Sequence, residues 1–179
     1  MEIDLTVNGT RTAIEAGEDV DLATVLRDAG YKGVNCGCDG GVCGASKVLV
    51  DGDATMACDT TATEVADAEI ETIESLGTQD DLHPIQQAFV DHFAVQCGFC
   101  IPGMIMEATD LLSENPSPSE REVRQAIDDT VCRCTGYQKP VEAILDAAGR
   151  LERHRNRDDS SVVTDGGTNT RTNGSDASD

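Results

Sequence analysis

Residues 33–52 read GVNCGCDGGVCGASKVLVDG. Cys36, Cys38 and Cys43 crowd into a loop with glycines at 37, 40, 41 and 44, and the loop runs directly into an apolar KVLV at 47–50 and a turn signal at Asp51-Gly52. A loop this rich in thiols and this poor in bulky side chains is shaped to wrap a small group, and the strand behind it must anchor it to a sheet. It is no phosphate loop, because the required lysine and spacing are missing.

Working outward, Ile3, Leu5 and Val7 alternate on one face, turn at Asn8-Gly9 and resume beyond it, the pattern of a hairpin. A short helix should start at Asp21, bury Leu22, Val25 and Leu26, and end at Gly30. Residues 47–50 and 54–57 flank Asp51-Gly52 as a second hairpin, and 69–73 offer a further strand. The expectation for the first part is a small sheet crossed by a helix.

After Leu82 the apolar period becomes helical, with Ile85, Phe89 and Phe93 spaced by four. A second helix is expected from about Pro102 through Met104, Ala108 and Leu111 to the breaker ENPSPS at 114–119. Ser119 and Glu122 have capping-box spacing ahead of Val123, Ile127 and Val131, and a fourth helix carries Val141, Ile144, Leu145, Ala148 and Leu151. Its end is basic (Arg150, Arg153, Arg155, Arg157), as the helix dipole favours. His83, before Pro84, reads as a helix-entry residue and His92 as a helix-face residue. The fold class is therefore α+β: a sheet domain at 1–77, a compact four-helix bundle at 78–155, and a polar, glycine-rich tail at 156–179 expected to be disordered and acidic.

The chain has 179 residues, is 39% hydrophobic and only 3% aromatic, and lacks tryptophan. That is thin for two separate cores, and bound metal would add stability. Its net charge of −21, with 34 acidic residues against 13 basic ones, makes nucleic acid an unsuitable partner. Acidity spread through the chain, with only Lys32, Lys47 and Lys139 as lysines, fits a halophile's protein kept soluble in concentrated salt. The N-terminus has no basic region followed by an apolar core, and no apolar run suits membrane insertion, so a cytoplasmic location is expected. Eight cysteines in such a compartment read as metal or redox groups rather than disulfides.

Cys97 and Cys100, in QCGFCIPGM, form C-x2-C; Cys132 and Cys134, in VCRCTGY, form C-x-C. Both pairs fall at expected helix ends, so two distant segments can close four thiolates around one centre, as a [2Fe-2S] cluster requires. Gly98 and Gly136 would let backbone N–H groups approach the sulfurs. Zinc takes the same four thiolates, although C-x-C is tighter than its usual pairs. Upstream, Cys38 and Cys43 have the x4 gap of a plant-type [2Fe-2S] loop, and Cys58 suits its distant ligand; the third ligand falls at residue 46, which is Ser46.

The segments CDGGVCGASKVLVDG, LHPIQQAFVDHFAVQCGFCIPGMIM and VCRCTGYQKPVEAI resemble the small iron-sulfur subunit of the molybdenum hydroxylases, the family of xanthine dehydrogenase and aerobic carbon monoxide dehydrogenase. The resemblance spans roughly residues 1–152. It implies a plant-ferredoxin-like β-grasp domain and a helical domain, each with one [2Fe-2S] cluster, in an oxidoreductase complex with a large molybdopterin subunit and a medium FAD subunit. By the same resemblance, Cys97, Cys100, Cys132 and Cys134 hold the cluster that receives electrons first, Gln96 and Cys134 lie nearest the pterin, and the ferredoxin-like cluster passes electrons on to the flavin. No residue of this chain would itself be catalytic.

The departure from the family pattern is at the first cluster, where cysteine is expected at position 46 and none at position 36. Cys36 is the expected fourth ligand, because thiolate suits iron-sulfur chemistry better than a hydroxyl. Ser46 ligating through oxygen, or an empty site, are the alternatives. The rival functions are a zinc-stabilised interaction module and a free-standing ferredoxin.

Overall fold

The computed structural model describes residues 2–15 and 17–161. Strands β1 (Glu2–Val7) and β2 (Thr10–Glu15) pair antiparallel, with Val7 opposite Thr10, so Asn8-Gly9 is a two-residue turn with φ of 51° and 72°. Both residues have the positive φ of a type I′ hairpin turn. Helix α1 (Leu22–Asp28) follows, its first turn capped by the Asp21 carboxylate accepting from Thr24 N–H at 2.8 Å. The second hairpin is β3 (Lys47–Val50) with β4 (Asp53–Met56), and Cys58 sits in the 3-10 turn Ala57–Asp59 that follows.

Strand β5 is shorter than expected, Glu69–Glu71 only, because residues 73–76 turn into the brief helix α2 (Ile73–Leu76). It lies in the middle of a mixed sheet of order β2-β1-β5-β3-β4, parallel to β1 and antiparallel to β3. Ile3, Leu5, Val7, Val48 and Ile70 from the sheet bury against Leu22, Val25 and Leu26 of α1. Each such side chain contributes about 2 kcal/mol.

Four helices make a second core: α3 (Pro84–Asp91), α4 (Ile101–Glu114), α5 (Glu120–Ala126) and α6 (Gln138–Ser161). Ile85, Phe89, Met104, Ile105, Val123, Ile127, Val141 and Ile144 meet inside it. The Ser119 hydroxyl accepts from Glu122 N–H, and the Glu122 carboxylate accepts from Ser119 N–H at 2.7 Å, the reciprocal cap expected from the sequence. His83 caps α3, its ring accepting from Ile85 N–H at 3.4 Å, and His92 Nε2 lies 3.1 Å from Asp146 Oδ2.

Two apolar positions depart from the helical reading. Phe93 is 84% exposed, because α3 ends before it: Phe93 adopts φ 54°, and Ala94 N–H closes back on Phe89 O at 2.9 Å, so Ala94 is buried in its place. Val131 is 59% exposed, because α5 has already ended at Ala126. The last helix continues to Ser161, beyond position 156 where a disordered tail was expected to begin; residues 162–179 lie outside the described part. Arg150 binds Asp146 and Asp91 at 2.6 and 2.7 Å, while the side chains of Arg155 and Arg157 lie outside the described residues. No described helix is long and apolar enough to cross a membrane.

Candidate metal centres

Cys100 is the N-cap of α4, Cys97 lies in the link from α3, and Cys132 and Cys134 occupy the turn between α5 and α6. All four line one cavity of about 150 Å³, together with Phe99 and Val131. The thiols meet in twos. Cys134 Sγ lies 3.5 Å from Cys97 Sγ, and the Cys132 thiol is near enough to act on Cys100.

In each pair one sulfur gathers donors and the other gives its proton. Cys97 is held below the ordinary thiol range, first by the Phe99 N–H and then by the Cys134 thiol. Cys134 is raised because it donates to Cys97. Burial pushes Cys100 up to about 12, with the Cys132 thiol adding to the effect. Burial also acts to raise Cys132, yet hydrogen bonds from the Thr135 side chain and from the Thr135 and Cys134 N–H groups outweigh it and lower the thiol. A cationic centre would displace the remaining protons. The backbone donors thus include Phe99, Cys134 and Thr135, with the Cys97 N–H acting on Cys134, rather than Gly98 and Gly136 themselves, which turn the chain at φ 84° and 62°.

The donor set fits two irons better than one zinc. Among the described residues no three cysteine sulfurs lie within 4.8 Å of one another. Four thiolates about 2.3 Å from a single zinc would stand roughly 3.8 Å apart in every combination. Two pairs facing each other match two irons with two thiolates each. Thr135 and Tyr137 add support that spacing alone did not single out: Thr135 Oγ1 lies 3.0 Å from Cys132 Sγ, and Tyr137 Oη accepts from Cys132 N–H at 2.8 Å while donating to Thr130 O. Both residues sit in the quoted VCRCTGY motif, which is the only signal that pointed to them.

The first set is looser. The loop folds its N–H groups onto Cys38, whose thiol is lowered first by Val42 N–H and then by the Cys43 thiol. Cys36 is exposed, and burial of its sulfur raises it while Arg27 opposes; the thiols of Cys58 and Cys43 are near enough to act on it. Ser46 is only 1% exposed. Its hydroxyl accepts from Cys58 N–H at 3.4 Å and its carbonyl from Ala57 N–H at 3.2 Å, so it fastens the turn that carries Cys58. Gln96 is exposed beside Cys97, at the open end of the second set.

The two sets share a seam. Val131 N–H donates to Cys43 O at 2.9 Å, and the Asn35 amide donates to Phe99 O at 2.9 Å. A Cβ on Gly37 would stand 2.7 Å from the Phe99 ring, and one on Gly103 would stand 2.3 Å from Gly44 O, so α4 can lie directly on the loop backbone only because position 103 is glycine.

Comparison with known proteins agrees with this geometry. A family model described as [2Fe-2S] binding domain matches residues 72–145. The chain is 46% identical over 152 residues to the nicotine 6-hydroxylase small subunit of Paenarthrobacter nicotinovorans, covering 84% of this chain and 92% of that one. It is 40% identical to the xanthine dehydrogenase iron-sulfur-binding subunit of Escherichia coli O157:H7, over 82% of this chain and 93% of the other. Among solved structures, quinoline 2-oxidoreductase from Pseudomonas putida 86 contains a chain that superposes with a TM-score of 0.81 at 38% identity, covering 86% of this chain and 96% of that one. With a thiol-lined cavity in place and relatives matched over nearly their whole length, the chain belongs to the small iron-sulfur subunits of the molybdenum hydroxylases, whose part in those oxidoreductases is electron transfer.

Proposed function

We propose that the chain holds two [2Fe-2S] clusters, one on Cys97, Cys100, Cys132 and Cys134 and one on Cys38, Cys43, Cys58 and Cys36, and links a molybdopterin subunit to an FAD subunit. When bound, each cluster supplies a one-electron acceptor. In this reading residues 1–77 are a β-grasp unit and 78–155 a helical bundle, each offering one thiol set. The observation that carries it is the convergence of Cys97, Cys100, Cys132 and Cys134 on one cavity, with the Cys97 and Cys134 sulfurs 3.5 Å apart.

The chain's own residues divide the work. Phe99, Cys134 and Thr135 direct N–H groups at the sulfurs, which favours the thiolate forms that a metal needs. Cys97, Cys134 and Gln96 are exposed at one end, among Phe93, Val95, Phe99 and Val131, which are 43–84% exposed. Two of the chain's three phenylalanines therefore face outward in a protein short of aromatics. An apolar rim of this kind is suited to a partner's surface, and Gln96 and Cys134 would there face the pterin. At the other set, Ser46 Oγ is already engaged by Cys58 N–H, which leaves Cys36 as the free soft donor next to Cys58 and Cys43.

Anaerobic purification of the complex, followed by iron, sulfide and zinc analysis, tests the proposal. About four irons per chain are expected, and about two would mean a single cluster. Zinc with no visible chromophore would overturn the reading, and purification without a larger subunit would favour a free-standing ferredoxin.

A further inference from the structure

Lys47 is one of only three lysines in the chain, and its side chain is 3% exposed. Its Nζ donates to Asp129 Oδ1 at 2.7 Å and pairs with Glu107, itself only 12% exposed. Desolvating an ammonium is costly, and the cost is recovered only where opposite charge and geometry are both supplied. Three chain segments meet at this nitrogen. Lys47 opens β3 directly after Ser46; Glu107 lies on α4, whose N-cap is Cys100; and Asp129 stands just ahead of Val131 and Cys132.

We infer that Lys47 is a positioning residue that sets the separation of the two thiol sets, tying the helix that bears Cys100 and the turn that bears Cys132 to the strand leaving the first cysteine loop. The inference rests on the two-site reading above. Ala54 N–H donates to Asp110 Oδ2 at 2.9 Å and ties α4 to β4, but the apolar contact along β3 is non-directional and by itself would let that helix slide. Two carboxylates on one ammonium do not allow that, because movement of either segment leaves a buried charge without its partner. The seam beside it depends on this registration: Val131 N–H must reach Cys43 O, and Gly103 must sit on Gly44 O.

The test compares K47M, K47R and the double variant K47M/E107M. K47M leaves Glu107 buried and unpaired, and should lower the melting temperature of the purified complex by roughly 10 °C. K47M/E107M removes both buried charges and returns Asp129, 61% exposed, to water, so most of that loss should be recovered. Registration should not recover. Hydrogen exchange of the Val131 amide in the full chain should stay faster than in the wild type, with the Ile144 amide unchanged, and the magnetic splitting between two reduced clusters should differ from the wild type. K47R, which keeps the charge, should restore both signals. Wild-type exchange at Val131 in K47M/E107M would overturn the inference. If the wild-type complex holds only one iron-sulfur centre, the two-site reading falls, while the exchange measurement still decides the role of Lys47.

Discussion

The two thiol sets are built on different scaffolds. Cys100 is fixed as a helix N-cap and Cys132 by the Tyr137 and Thr135 hydroxyls, so the second set is held by α4 and the turn before α6, and its four cysteines already line one cavity. The first set hangs from a glycine-rich loop whose N–H groups converge on Cys38, and its Cys58 side is fastened through Ser46. A helix end leaves little freedom in where a thiol points, and losing one there should abolish the site. A glycine loop has more conformational freedom, which is what the proposed ligand role of Cys36, two residues upstream of Cys38, requires.

The sharpest way to break this contrast is Cys100→Ala. It should remove the second-set cluster entirely, taking iron from about four to about two per chain, while the first-set signal remains in low-temperature EPR. Reduction of the flavin by substrate should stop. Persistence of both signals would mean that the pairing of Cys100 with Cys132 has been misread.

Next in size is the comparison of Cys36→Ala with Ser46→Ala. Loss of the first-set signal in the former only, with the latter altering its line shape, fits a thiol ligand and a serine that merely holds Cys58. The reverse result would make Ser46 the fourth ligand, and no change in either would exclude both.

The seam can be probed through Gly103→Ala. The new Cβ would meet Gly44 O at 2.3 Å, so α4 must move off the loop, at about 2 kcal/mol in chemical denaturation of the complex. Unchanged stability would show that the two sets do not depend on that backbone contact.

The smallest expected effect belongs to pH. Burial holds His83 below the usual histidine value in the folded chain. The unfolded state therefore takes up its proton first, near pH 6.5, and folded stability falls as pH drops from there toward the lower folded value. Protonation also removes the acceptor for Ile85 N–H. The loss should be small, and His83→Asn, which keeps a cap, should flatten the pH profile below about pH 6.5. An unaltered slope would point to another titrating group.

Much of the fold was legible because its signals are local. Asn8-Gly9 demands a two-residue hairpin turn, Asp21 and Ser119 cap the helices that follow them, and the apolar period changes from two to about four residues after Leu82. Phe93 and Val131 were misplaced for the complementary reason: a period has no endpoint of its own, and the end of α3 depends on a left-handed turn at Phe93, a conformation unusual for a bulky residue. The cysteines declared themselves by spacing, but the donors that tune them did not. Phe99, Cys134 and Thr135 act through backbone N–H groups, and those are invisible in residue identity.

The sequence by itself determined most of the elements, the eight thiols and the family they match, because capping, turn chemistry and ligand spacing are short-range properties of the chain. Only the tertiary structure decided which sulfurs pair, that Ser46 is turned toward Cys58 N–H, and that Lys47, so readily taken for a surface charge, is buried between Glu107 and Asp129. Those outcomes depend on segments up to 82 residues apart meeting at one point, and local propensity says nothing about where distant segments meet.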